Sequence, residues 1–172
     1  SPLGAWWHTE IGPLNRVIHL WPYESMQARD EARAAAAKPG AWPPEGADVL
    51  LSQESKIIAS APFSPPLEPV ERGGIFEIRT YGVQANRGGE LIDVWAPMME
   101  QRLKRSPLVL AGLTQVGSLN QWIHIWWYPD LNARARIRAE AVEAGEWPPR
   151  AGGIITSQES VIVVPAAFSP IR

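Results

Sequence analysis

Residues 120–128, Asn-Gln-Trp-Ile-His-Ile-Trp-Trp-Tyr, alternate along an extended chain: Asn120, Trp122, His124, Trp126 and Tyr128 fall on one side, Ile123 and Ile125 on the other. A period of two predicts a strand with one aromatic, partly polar face and one aliphatic face. A near copy stands at 15–23, where Asn15, Val17, His19, Trp21 and Tyr23 oppose Ile18 and Leu20. The same alternation predicts a strand over Ile75–Val83, with Phe76, Ile78 and Thr80 set against Glu77, Arg79 and Tyr81. Strands are also predicted over 108–116 and over the β-branched run Ile154–Val164. Between them the period changes. Leu91, Val94, Trp95, Met98, Met99 and Leu103 recur at helical spacing, predicting an amphipathic helix over 90–105, with Pro97 expected to kink or break it. Pro129 fits the first turn of a helix running to about Ala144, which Gly145 can stop.

Residues 1–67 overlay 106–172 at a constant offset without a gap, and roughly 28 of the 67 positions are identical. Trp42-Pro43-Pro44 meets Trp147-Pro148-Pro149, and Ser52-Gln53-Glu54-Ser55 meets Ser157-Gln158-Glu159-Ser160. We read a first unit over 1–71 and a second over 72–172. The second carries an upstream part, about 73–105, that the first lacks, so the first unit is expected to be short of its leading strand and helix; a designed or processed terminus is the expected cause. The second unit reads strand, helix, strand, strand, helix, strand. That order is the split β-α-β, ferredoxin-like pattern of an α+β fold: an antiparallel sheet with helices on one face.

The aliphatic set Ile123/Ile125, matched by Ile18/Leu20, is expected under the helices. The aromatic set is then expected on the bare face, where so much apolar area needs cover. Two such sheets packed together would enclose it as a barrel interior. On that reasoning Phe76 and Ile78 are helix-side, and Glu77, Arg79 and Tyr81 point into the barrel beside His124 and Trp126.

Composition narrows the function classes. The net charge is −2 and no Lys/Arg cluster forms a basic face, which disfavours nucleic acid and anionic membranes. Without cysteine there is no disulfide, thiolate zinc site or cysteine nucleophile. No apolar run approaches the ~20 residues of a membrane span and no signal peptide opens the chain, so the expectation is a cytoplasmic protein. No phosphate loop, dinucleotide fingerprint, nucleophile elbow or zinc motif is present, and no cofactor or metal is expected.

The candidate ligand-binding residues are His124, Trp126, Asn120, Tyr128, Glu77, Arg79 and Tyr81, with His19 and Trp21 in the first unit. His124 and His19 could act as a base or ligand, but with no second His or carboxylate at ligand spacing the residues favour buried, hydrogen-bonded histidines. Glu77, Arg79 and Tyr81 make either a pocket floor or an internal ion pair. Arg134 and Arg138, one helical turn apart like Arg29 and Arg33, could clamp an anion; pairing with Glu159 and Glu54, or with a partner subunit, is the favoured reading. The Trp-Pro-Pro steps read as stiff loops.

Phe76-Glu77-Ile78-Arg79-Thr80-Tyr81, Leu119–Trp126 with Tyr128, Arg134 and Arg138, and Gln158-Glu159-Ser160 together resemble the NIPSNAP family of the dimeric α/β barrel superfamily. Phe76 departs from the family's usual Tyr. The resemblance implies tandem ferredoxin-like repeats and a homodimer, higher homo-oligomer or pseudo-dimeric pair. It implies little chemistry. The expected function is binding of a small apolar or aromatic molecule in the barrel. The alternatives are a non-catalytic assembly or adaptor protein and a cofactor-independent monooxygenase-like enzyme, the last by analogy of fold alone.

Overall fold

The computed structural model describes residues 2–37 and 49–172. Among the described residues seven strands and three helices follow in order: β1 (Ala5–Ile11), β2 (Val17–Leu20), α1 (Met26–Ala36), β3 (Ile57–Ser60), β4 (Ile75–Val83), α2 (Gly88–Arg105), β5 (Leu108–Val116), β6 (Gln121–Tyr128), α3 (Leu131–Glu143) and β7 (Ile155–Pro165). Strand and helix bounds in the second half lie within two residues of those read from the pattern. The ends of α3 have local causes. The Asp130 carboxylate accepts the Ala133 N–H at 2.7 Å as N-cap, and Gly145 takes φ 67 just past the helix. Ser25 caps α1 in the same way, at the matching position of the first copy. Pro97 neither breaks nor ends α2, which runs through it unbroken as one helix. The Trp42-Pro43-Pro44 connector lies outside the described residues.

The strands form one antiparallel sheet in the order β2-β1-β7-β4-β6-β5-β3, so the expectation of two separate sheets is corrected. The two halves are joined through strands. β7 pairs with β1, and β5 pairs with β3, so each half extends the other's sheet. The sheet curls. Ile18 and Leu20 of β2, at one end, and Ile58 of β3, at the other, pack on a single core of Ala5, Trp7, Phe76, Leu110, Ile125 and Val163.

The pattern correctly grouped the residues of each face but assigned the faces to the wrong sides. Trp122, Trp126, Tyr128 and Tyr81 pack against Leu91, Trp95 and Met99 of α2 and Ala141 of α3. The aromatic face is therefore the helix-covered one. Phe76, Ile78 and Ile125 lie on the helix-free side, against Trp7 and Val163. The physical reason is that both faces are apolar enough to be buried, and alternation alone cannot choose between them. Aromatic rings on α2 and cations on α3 settle the choice, because Trp95 and Arg134 find ring and carboxylate partners only on the Trp122/Glu77 face.

Candidate functional site

At the centre of the helix-covered face lies Glu77, fully buried on β4. Its Oε1 accepts hydrogen bonds from Arg79 Nη1 at 2.8 Å, Arg134 Nη2 at 2.6 Å and Ser160 Oγ at 2.6 Å. Arg138 Nη1 stands 4.0 Å from Oε2, and that oxygen has no hydrogen-bond partner. Burial alone raises the carboxyl pKa. The hydrogen bonds from Arg134 and Ser160 and the charges of Arg79 and Arg134 outweigh it and hold the pKa at about 2. Arg79 continues the network, donating from Nε to the Tyr81 hydroxyl at 2.7 Å and from Nη2 to Gln158 at 3.3 Å. One carboxylate thus faces three guanidinium groups.

Beside this cluster β6 and α2 enclose His124. Trp95 meets its ring edge-on at 4.7 Å, as does Tyr81 at 4.7 Å. Trp126 Nε1 donates to His124 Nδ1 at 2.6 Å, which places the imidazole proton on Nε2, and Nε2 is buried without a partner. Burial, then the neighbouring Arg79 charge, pushes the His124 pKa well below its ordinary value, so the ring is neutral. The Arg102 guanidinium carbon stands over the Trp126 ring, 4.0 Å from its centroid, and the group donates to Ser106 Oγ at 2.6 Å and the Tyr128 hydroxyl at 2.9 Å. Among the described residues it makes no ion pair, and burial lowers its pKa.

An open cavity of about 280 Å³ adjoins the cluster, between the polar end of β4, α3 and the segment before β7. Arg79, Arg138 and Gln158 give it polar groups; Tyr81, Trp95 and Trp147 give it rings. Of the residues expected to bind a ligand, Arg79 and Tyr81 line this space. Glu77 supports Arg79 from beneath, while His124, Trp126 and Tyr128 are sealed in the core behind Trp95 and Arg102. Asn120 is exposed at φ 54 in the turn before β6, where its carbonyl accepts from Val83 N–H at 2.8 Å; it acts as a turn residue. His19 and Trp21 lie in the other half, far along the strand order, and repeat the indole-to-imidazole bond at 2.6 Å in an exposed setting. The expected partner of Arg134 and Arg138, Glu159, is corrected to Glu77; Arg29 pairs with its neighbour Asp30 at 3.0 Å. Arg102 was missed, although its signal was available: Leu91, Trp95, Met99 and Arg102 are all buried and follow one helical stripe. Among the described residues no group of three His, Cys, Asp or Glu side chains is placed to hold a metal, and no helix is long and apolar enough to cross a membrane.

The NIPSNAP family model matches residues 1–65 and again 76–170. Protein NipSnap homolog 3A of Homo sapiens is 27% identical over 188 aligned residues, covering all of this chain and 73% of that protein. Protein NipSnap homolog 1 of Danio rerio is 29% identical, covering 96% of this chain and 62% of its own length. Among solved structures, a NIPSNAP family protein of Agrobacterium tumefaciens is 30% identical with TM-score 0.53 over 57% of this chain and 98% of its own. A NIPSNAP domain protein of Burkholderia xenovorans is 28% identical with TM-score 0.51 over 55% and 96%.

Proposed function

Given that the chain belongs to the NIPSNAP family, we propose that it binds a small organic anion with an aromatic or apolar body in the cavity beside Arg79 and Arg138. The observation that carries this reading is the charge of the cavity wall: two guanidinium groups, Arg79 and Arg138, line it, and its lining includes no carboxylate. Arg138 is the cation left for a ligand, since its nearest carboxylate oxygen is 4.0 Å away and its side chain is one-third exposed to the cavity side. Trp95, Trp147 and Tyr81 supply ring faces and edges for an apolar body. The volume, about 280 Å³, lies just below the ~300–1,000 Å³ typical of ligand pockets, which suits a single-ring carboxylate. No catalytic step is assigned, because the neutral imidazole of His124 is closed off from the cavity.

A thermal-shift screen of small aromatic and aliphatic carboxylates tests the reading. A binder should raise the melting temperature of the native chain, and Arg138→Gln should weaken it about tenfold or more while leaving the unliganded melting temperature nearly unchanged. Carboxylates that shift nothing, or bind Arg138→Gln equally well, would sink the proposal.

We also read the chain as two ferredoxin-like units, 1–71 and 72–172, the first short of its leading strand and helix. Supporting this, β1, β2, α1 and β3 match β5, β6, α3 and β7 at the offset of the repeat, and a nearly whole NIPSNAP structure spans little more than half of this chain. A second functional reading is a role in assembly, for which α1, a helix with no buried residue, offers a surface.

A further inference from the structure

Arg79 sets the polarity of its neighbours at the cavity wall, because a guanidinium carries donors and no acceptor. Its Nη1 is engaged by Glu77 at 2.8 Å. Its Nε donates to the Tyr81 hydroxyl oxygen at 2.7 Å, and its Nη2 to the Gln158 amide oxygen at 3.3 Å. The Gln158 amide therefore turns its oxygen to Arg79 and is left with its NH2 group to give. The Tyr81 oxygen, already accepting, is left with its own proton to give. Burial raises the Tyr81 pKa, so that proton stays in place at neutral pH. Tyr81 and Gln158 are paired across β4 and β7 and accept from neighbouring nitrogens of one guanidinium, so their two donors stand side by side.

The rest of the wall repeats the bias. Arg138 has donors alone, and its charge is felt at the Tyr81 hydroxyl. Trp95 adds an indole N–H that is buried without a partner. The polar side chains of the lining thus present donors, and none presents a carboxylate. A polar end made only of acceptors can satisfy them. An ammonium group would set its own N–H bonds against theirs and leave both sides unpaired. Such unmade hydrogen bonds discriminate between ligands more strongly than a missing methylene does.

We propose that the cavity selects α-oxo acids, carboxylates with a carbonyl oxygen on the adjacent carbon, over plain carboxylates and α-amino acids, and that Tyr81 and Gln158 determine this specificity. The inference rests on the anion-binding reading of the same cavity and deepens it. The carboxylate is held by Arg138. The adjacent carbonyl oxygen takes one hydrogen bond from the Tyr81 hydroxyl and one from the Gln158 amide, one for each lone pair. The apolar body lies against Trp95 and Trp147.

Calorimetric titration of the native chain with three matched single-ring acids tests this: phenylacetate, benzoylformate, which adds the α-oxo group, and phenylglycine, which adds an α-amino group. Benzoylformate should bind about tenfold tighter than phenylacetate, the effect of two neutral hydrogen bonds, and phenylglycine about tenfold more weakly than phenylacetate. Gln158→Met and Tyr81→Phe each remove one donor, and each should bring the preference for benzoylformate over phenylacetate down to about threefold. Taking the ratio of two ligands within one variant cancels any general loosening of the fold. Equal affinity of the native chain for benzoylformate and phenylacetate would overturn the selection and leave the anion reading standing. So would a preference that persists undiminished in both variants, or a failure of benzoylformate to bind where another carboxylate does. If no carboxylate binds the native chain, the anion reading falls and the selection falls with it.

Discussion

His19 and His124 occupy equivalent positions in the two halves, and each accepts a 2.6 Å hydrogen bond from the indole two residues on. Their surroundings differ in almost every other respect. His124 is sealed beneath Trp95, Tyr81 and Arg102, whereas His19 is stacked on Trp6 at 5.1 Å with its other side in solvent. The local sequence is shared, so local sequence does not decide the environment. The second half owns a central strand and a covering helix, and these turn the same strand motif from a surface into a core. Four identical residues, Ser-Gln-Glu-Ser, are strand in the second half and coil in the first, though exposed in both.

The most damaging change to this contrast should be Glu77→Ala. It removes the one carboxylate facing Arg79, Arg134 and Arg138 and leaves buried positive charge uncompensated, for a loss of about 3–5 kcal/mol of stability by urea denaturation. Acid should do the same work gradually. The folded pKa of Glu77 is about 2, below its ordinary 4.5, so its contribution is present above pH 4.5 and is lost as pH falls from about 4.5 towards 2.

Next in size is the histidine pair. His124→Ala should cost about 2–4 kcal/mol through a cavity among the rings, and His19→Ala about 1 kcal/mol or less. The folded pKa of His124 is depressed, so its contribution holds above pH 6.5 and fades as pH falls below it. A melting-temperature profile across that range should therefore be steeper in the native chain than in His124→Ala. Equal costs at the two histidines would end the claim that cover alone separates them. Smallest is the serine pair. Ser160→Ala removes a 2.6 Å bond to a buried carboxylate and should cost about 1.5–3 kcal/mol, while Ser55→Ala, in exposed coil, should change stability by less than about 0.5 kcal/mol.

Much of this was legible beforehand. Period-two alternation located β4 and β6, and the helical stripe located α2, because burial on one face repeats with the geometry of the element. The gapless repeat predicted that β2 and β6 hold matching places. The side on which His124 lies was not legible, since both faces of β6 are apolar. Charge would have settled it: Arg134 and Arg138 on one helical turn need a carboxylate, and Glu77 on the aromatic side of its strand is the one within reach. The single sheet was hidden for a different reason. The pairings of β1 with β7 and β3 with β5 join residues far apart in sequence, and no local pattern records such pairings. The cavity, too, depends on how the segment before β7 lies over Trp95, which strand and helix periodicity do not encode.

That joining also bears on the order in which the molecule can form. β7 is the last strand in the chain, yet it sits between β1, the first, and β4, placing Val163 opposite both Thr9 and Phe76. β1 therefore gains its second neighbour only when β7, made after every other strand described, is in place. The long loop between β1 and β7 must close before the sheet gains its widest contacts, which slows folding relative to a chain with local pairings. In the interval the Trp7 and Phe76 faces lack the cover that Val163 of β7 supplies, and such uncovered apolar surface is where a chain of this topology is open to mispairing.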